Sequence, residues 1–276
     1  MAKNPLPFRY PGGKFYAMNI LQPFWEEVEH KEYREPFAGG ATVFFNKPKV
    51  KNCWLNDLDS ELIECYRTMQ NPELRIKMAE DFKTEIATKK RWKEVFESET
   101  NSNYEIARKY FYLNRTSFSG KLVSAAWGYR PKRSLPPERW YERIIPCGEY
   151  LENVNLTCVD FEEVINTSGE DVLLYVDPPY YLPPKNKHYR FGFDPEDHIR
   201  LAEALKVTRH KFFLTYDDCE EIRDLYKWAN IYSTKFIYRV DNSATRNGSR
   251  QLGFELIITN YDMPEQIRLF DGEINE

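Results

Sequence analysis

Five apolar residues, Val172-Leu173-Leu174-Tyr175-Val176, run without a polar break into Asp177-Pro178-Pro179-Tyr180. A short apolar run stopped by turn residues reads as a buried strand, and what stops this one is chemically specific. Two successive prolines fix the backbone and remove two N–H donors, so the group offered at the strand's end is a carbonyl acceptor. Asp177 adds a second acceptor, and Tyr180 offers a flat face for stacking. A rigid turn accounts for the prolines but not for the acid and the aromatic beside them. Two acceptors and a plate suit a flat heterocycle that carries an amino group.

The rest of the chain supplies a frame for that strand. Tyr33 to Phe37 reads as a strand running into the tight turn Ala38-Gly39-Gly40-Ala41-Thr42, with Val43-Phe44-Phe45 at the start of a helix. Val50 to Asn56 is a second strand, ending at Asp57, and Ser60 to Met69 has helical spacing. Strand signals return at Val154 to Val159, Val172 to Val176 and Lys211 to Thr215, and Ile231 to Val240 and Phe254 to Thr259 close the chain as a pair. Pro195 to Lys206 reads as a helix capped by Asp194, with proline at its first position, and Cys219 to Ala229 as another. Between the two sets lies a charged stretch with apolar residues at helical spacing, a helix over Glu105 to Leu113, and a Gly/Pro-punctuated segment. Alternating strands and helices imply an α/β fold, a mainly parallel sheet covered by helices. The domain expectation is a discontinuous sheet domain, 1–68 with 154–276, interrupted by a mostly helical insertion at 69–153.

In such a sheet, ligands sit beyond the carboxyl ends of the strands, where strand order reverses. The Phe37–Gly40 turn, Asp57, Asp160 and Asp177 all fall at expected strand ends, so four segments deliver glycine or carboxylate to one edge. Gly39 and Gly40 let backbone approach a ligand closely. The pattern is not G-x-G-x-x-G, which disfavours a dinucleotide. Asp57 stands where an acid bonds ribose hydroxyls, Asp160-Phe161 pairs an acceptor with a ring, and Tyr10-Pro11-Gly12-Gly13-Lys14 sets a cation on a glycine turn, suited to a carboxylate. Ribose, adenine, a carboxylate and a positive centre together describe S-adenosyl-L-methionine better than ATP.

Charge adds a second surface. The chain of 276 residues carries a net −4, yet Arg108 to Arg143 holds nine Lys/Arg against two acids, a local +7. A basic, aromatic-rich segment in an acidic protein suggests a phosphate-facing surface. The five cysteines contain no C-x-x-C pair and read as reduced thiols. The four histidines lack metal-ligand spacing, so no metal site is expected. No signal peptide or membrane-spanning run is seen, which fits a cytoplasmic protein.

Several strings, taken in order, resemble the Dam-type DNA adenine-N6 methyltransferases that place a target-recognition insertion between cofactor and catalytic halves. They are Phe8-Arg9-Tyr10-Pro11-Gly12-Gly13-Lys14, Arg34-Glu35-Pro36-Phe37-Ala38-Gly39-Gly40, Leu55-Asn56-Asp57-Leu58-Asp59-Ser60-Glu61-Leu62-Ile63 and Tyr112-Leu113-Asn114-Arg115-Thr116-Ser117-Phe118-Ser119-Gly120, followed by Asp160-Phe161 and Asp177-Pro178-Pro179-Tyr180. The resemblance implies a Rossmann-like seven-stranded sheet with helices on both faces. It implies that Tyr10, Lys14, Phe37, Gly39, Asp57, Asp160, Phe161 and Asp177 hold S-adenosyl-L-methionine. Asp177, Pro178, Pro179 and Tyr180 would form the catalytic motif, gripping the amine of an adenine flipped out of double-stranded DNA. Arg9, Asn114, Arg115, Lys121, Arg130, Lys132 and Arg133 are the expected DNA contacts. On the loop after the motif, Tyr181, Phe191 and Phe193 are candidates to close over the base and Lys185, Lys187 and Arg190 to meet phosphates, with a plain solvated linker as the equal alternative.

Members that modify GATC tend to carry Asn-Gly where this chain has Ser119-Gly120, which leaves the recognised sequence open. A cognate restriction endonuclease is a partner the resemblance allows, and one catalytic set per chain permits a monomer. A cytosine-N4 methyltransferase shares the fold but usually begins the motif with serine. A catalytically silent DNA-binding regulator is the alternative from another class.

Overall fold

The computed structural model describes residues 5–10, 12–182, 192–238 and 251–264. Seven strands form one sheet: β1 (Glu32–Glu35), β2 (Asn52–Asn56), β3 (Val154–Thr157), β4 (Val172–Val176), β5 (Lys211–Asp217), β6 (Asn230–Tyr238) and β7 (Gln251–Thr259). Among the described residues the α-helices are α1 (Met18–Glu26), α2 (Thr42–Asn46), α3 (Ser60–Gln70), α4 (Pro72–Lys83), α5 (Lys89–Glu97), α6 (Asn103–Thr116), α7 (Tyr141–Leu151), α8 (Phe161–Asn166), α9 (Pro195–Val207) and α10 (Glu220–Leu225).

The strand order is β3-β2-β1-β4-β5-β7-β6. The first five strands are parallel, while β7 runs antiparallel to both β5 and β6. The mainly parallel sheet expected from the sequence is present, and the closing strand pair supplies its antiparallel edge. β1 and β4 are adjacent although far apart in sequence, so the chain leaves the centre in opposite directions on their two sides. That reversal opens a crevice at their carboxyl ends.

β4 is apolar throughout because both faces of the sheet are covered. Leu173 and Tyr175 face a cluster with Leu21, Phe24, Tyr33 and Leu62. Val172, Leu174 and Val176 face the opposite cluster, with Phe161, Leu201, Leu205 and Ile222. The first cluster continues without a break into residues 69–153: Leu62, Cys65, Tyr66 and Met69 of α3 pack with Ala107, Phe111, Trp140, Ile144 and Leu151. The insertion is thus built onto α3 through shared core.

Three helices go beyond what the sequence pattern indicates: α1, α7 and α8. Pro23 lies inside α1 and Pro146 inside α7, residues that read as breakers along the chain. The helix expected over Cys219 to Ala229 ends at Leu225, because β6 begins at Asn230. Among the described residues no helix is long and apolar enough to cross a membrane.

Candidate active site

The crevice between β1 and β4 is a cleft of about 810 Å³, including its open mouth. Its walls come from the turn after β1, the residue after β2, the N-terminal glycine turn and the end of β4. Tyr10, Lys14, Phe37, Gly39, Asp57, Asp177 and Pro179 all line it.

The turn after β1 is held by its neighbour. Ala38 N donates to Asn56 O at 2.8 Å, which carries the loop onto the end of β2. Gly39 has φ +47°, a left-handed backbone that suits glycine, and a Cβ there would meet the Tyr10 ring at 2.8 Å. Asp57 braces the same turn: its Oδ2 accepts Gly39 N at 2.8 Å and its Oδ1 accepts Asp59 N at 2.9 Å. Burial pushes the Asp57 carboxyl up to about 6, although those two amides pull the other way. Phe37 stacks on Phe161 at 5.4 Å and meets Phe193 edge-on at 5.6 Å.

The end of β4 is tied to the N-terminal turn. Lys14 Nζ donates to both oxygens of Asp177, at 2.7 and 2.9 Å, and to Gly12 O at 3.1 Å. Thr215 on β5 donates its hydroxyl to Asp177 Oδ1 at 2.7 Å. The Lys14 side chain is 7% exposed and that of Asp177 21%, so the pair is drawn out of water but open to the cleft.

Several expected roles meet a different geometry. Tyr180 is only 4% exposed, and Lys14 Nζ covers its ring at 4.8 Å. In this conformation Tyr180 backs the site and presents no open stacking face. Burial, and then the Glu255 carboxylate at its hydroxyl, push the phenol well above its ordinary range. Pro178 is buried and lies outside the cleft lining, unlike Pro179. Asp160 and Phe161 also lie outside that lining. Asp160 caps α8 by accepting Glu162 N at 2.9 Å and pairs with Arg200 at 3.0 Å, while Phe161 supports Phe37 from behind.

The expected DNA contacts divide in two. Arg130, Lys132 and Arg133 are exposed, and Arg9 and Lys121 are half-buried. Asn114 and Arg115 are sunk in the interior, at 0% and 6% exposure. Asn114 is instead a staple: it accepts Arg9 N at 3.0 Å and donates to Arg9 O at 2.9 Å and Gly120 O at 3.1 Å. Burial, then the neighbouring Arg9 and Arg143, push Arg115 down to about 9. Tyr181 and Phe193 both pack on His198. Phe191, Lys185, Lys187, Arg190 and Pro11 lie outside the described residues.

Three residues at the site carry no assignment from the sequence. Glu35, at the end of β1, lines the cleft and accepts Tyr33 Oη at 2.6 Å and Phe44 N at 2.9 Å. Thr215 and Asp217 end β5 beside the Asp177 turn. Asp217 satisfies the same strand-end rule that singles out Asp57 and Asp177, and the expected strand over Lys211 to Thr215 stops two residues short of it.

Residues 10–240 match the family described as D12 class N6 adenine-specific DNA methyltransferase. The chain belongs to that family, and it is a DNA adenine-N6 methyltransferase. It is 28% identical to the type II methyltransferase M1.LlaDCHI of Lactococcus lactis subsp. cremoris, over 94% of this chain and 96% of that one. It is 26% identical to the type II methyltransferase M.CviBI of Paramecium bursaria Chlorella virus NC1A, over 92% and 98%. A DNA N-6-adenine-methyltransferase of Escherichia phage P1 is 28% identical over 79% of this chain and 30% of its own length. The cytosine-N4 and silent-regulator readings give way to this family.

Proposed function

We propose that this chain carries a methyl group from S-adenosyl-L-methionine to N6 of an adenine extruded from duplex DNA, with Asp177 as the residue that grips the amine. The observation that carries the reading is Asp177 itself, an acid at the end of the central strand, inside the cleft, held between Lys14 and Thr215. The residues around it fit the donor. A glycine-lined turn, an acid at the end of the next strand and a buried lysine complement a nucleoside joined to an amino acid. Bound there, S-adenosyl-L-methionine supplies a sulfonium-activated methyl group. Asp57 offers acceptors to ribose hydroxyls while its bond to Gly39 N keeps the turn in place. Phe37 gives the adenine moiety a wall, stiffened by Phe161.

The exocyclic nitrogen of adenine is a weak nucleophile because its lone pair is spread into the ring. The Asp177 carboxylate and the Pro178 carbonyl accept its two N–H bonds, draw the nitrogen toward tetrahedral geometry and stabilise the positive charge that develops. Asp177 must first give up part of its contact with Lys14. Lys14 would be the residue to hold the donor's carboxylate, and its release from Asp177 would also free the Tyr180 ring that it covers.

In the same reading, 69–153 serves as the target-recognition region, and 1–68 with 154–276 as the catalytic domain. Arg9, Lys121, Arg130, Lys132 and Arg133 approach DNA phosphates. A cognate restriction endonuclease is the proposed partner, the proposed location is the cytoplasm, and one catalytic set per chain permits a monomer. Radiolabelled S-adenosyl-L-methionine with duplex DNA tests the chemistry, and sequencing for modified adenine locates the target. Asp177→Ala is expected to lower transfer by about 10³-fold or more with the fold retained by circular dichroism. Wild-type rates in that variant would overturn the role of Asp177.

A further inference from the structure

β5 continues where its pairing with β4 stops. The last ladder partners are Val176 and Leu214, yet β5 runs on to Asp217. Thr215, Tyr216 and Asp217 therefore lie beside Asp177-Pro178-Pro179, where the prolines supply no amide to extend the ladder. Side chains take over from the backbone there. Thr215 Oγ1 donates to Asp177 Oδ1 at 2.7 Å. Asp217 Oδ1 accepts Tyr181 N at 3.0 Å and Asp217 Oδ2 accepts Leu182 N at 2.7 Å.

Both residues are sealed from water, Thr215 at 0% and Asp217 at 1% exposure. Each oxygen of Asp217 thus serves one of the two successive amides that follow Pro178-Pro179-Tyr180. Tyr216, pointing to the other face, places its ring 6.0 Å from Tyr180. One strand end therefore holds the catalytic turn at its acid and again just past its aromatic.

We propose that Thr215 and Asp217 are positioning residues for methyl transfer: they fix the spacing between the Asp177 carboxylate and the Pro178 carbonyl, so that one amine meets both acceptors. Neither needs to touch substrate. Geometry at a reacting nitrogen is steeply rate-determining, whereas most of the donor cleft is built from the turn after β1, the residue after β2 and the N-terminal glycine turn. The effect belongs in kcat and not in binding. This inference rests on the methyl-transfer reading above.

Asp217→Asn keeps the side chain's shape but leaves one acceptor oxygen for two amides and turns an N–H donor toward the other. Thr215→Val removes the hydroxyl from Asp177, and Thr215→Ser keeps it. Single-turnover transfer to plasmid DNA is measured well below each melting temperature, with S-adenosyl-L-methionine affinity by calorimetry and DNA affinity by gel shift. Asp217→Asn and Thr215→Val are expected to slow transfer by about 10- to 100-fold, with both affinities within about threefold of wild type and Thr215→Ser near the wild-type rate. If Asp217→Asn does not fold, the Thr215 pair decides. Unchanged rates in the folded variants overturn the inference, as do rates that fall only as far as the affinities do. An inactive wild type brings down the methyl-transfer reading and this inference together, while an active wild type with unaffected variants removes this inference alone.

Discussion

Glu35 is a carboxyl at the end of a central strand with 1% exposure. Burial pushes it up to about 8 from an ordinary 4.5, although bonds from Tyr33 and Phe44 work in the other direction. Between those pH values the folded protein keeps a proton that the unfolded chain has released. Stability therefore falls as pH rises from about 4.5 to about 8 and levels off above that, at about 1.4 kcal/mol per pH unit for such a group. Glu35→Gln keeps the acceptor for Tyr33 and Phe44 but has nothing to ionise. Its melting temperature is expected to match wild type near pH 4.5 and to exceed it at pH 8, as thermal denaturation across that range would show. Asp57 follows the same sign over a window that closes near 6. Asp57 and Asp177 were legible as strand-end acids. Glu35 was not, because nothing in its sequence neighbourhood tells a buried carboxyl from an exposed one.

Two turns hold the elements in register, and each has a residue whose loss separates structure from function. Gly39→Ala places a methyl group at a φ of +47° and 2.8 Å from the Tyr10 ring. The helices are expected to persist by circular dichroism, while S-adenosyl-L-methionine affinity falls about tenfold or more, a cost of strain and a displaced wall. Asn114→Ala removes three hydrogen bonds between the N-terminal segment and the turn after α6. It is expected to cost about 2–3 kcal/mol in urea denaturation and to leave the salt slope of DNA binding unchanged. A steeply altered slope would return Asn114 to the DNA surface. The string containing Asn114 resembles a recognition-region motif, but only packing reveals that this residue faces inward. α1 and α7 stayed hidden for a related reason: Pro23 and Pro146 break the helical pattern along the sequence, and tertiary contacts override them.

Across the whole molecule the charge is uneven. Arg130, Lys132 and Arg133 stand exposed on a segment of strong local positive charge, while the chain is acidic overall. Replacing all three by alanine is expected to weaken DNA binding and to reduce the slope of log K against log salt by about 2–3. An unchanged slope would mean that this surface faces away from DNA. The helices that carry the segment share their core with α3, so the basic surface is anchored to the same frame as the cleft.

The amino-acid sequence by itself determined the α/β alternation, the sheet edge on which the acids gather, the Asp177-Pro178-Pro179-Tyr180 turn and the reaction class its motifs resemble. These are local properties: periodicity, proline chemistry and the order of short strings. Only the tertiary structure decided that Asn114 and Arg115 are interior, that Lys14 occupies Asp177 and covers Tyr180, and that Asp160 is taken up by Arg200. It alone brought Thr215 and Asp217 against the Asp177-Pro178-Pro179-Tyr180 turn. Burial and pairing depend on which distant segments meet, and that is settled by the packing of the sheet and its helices.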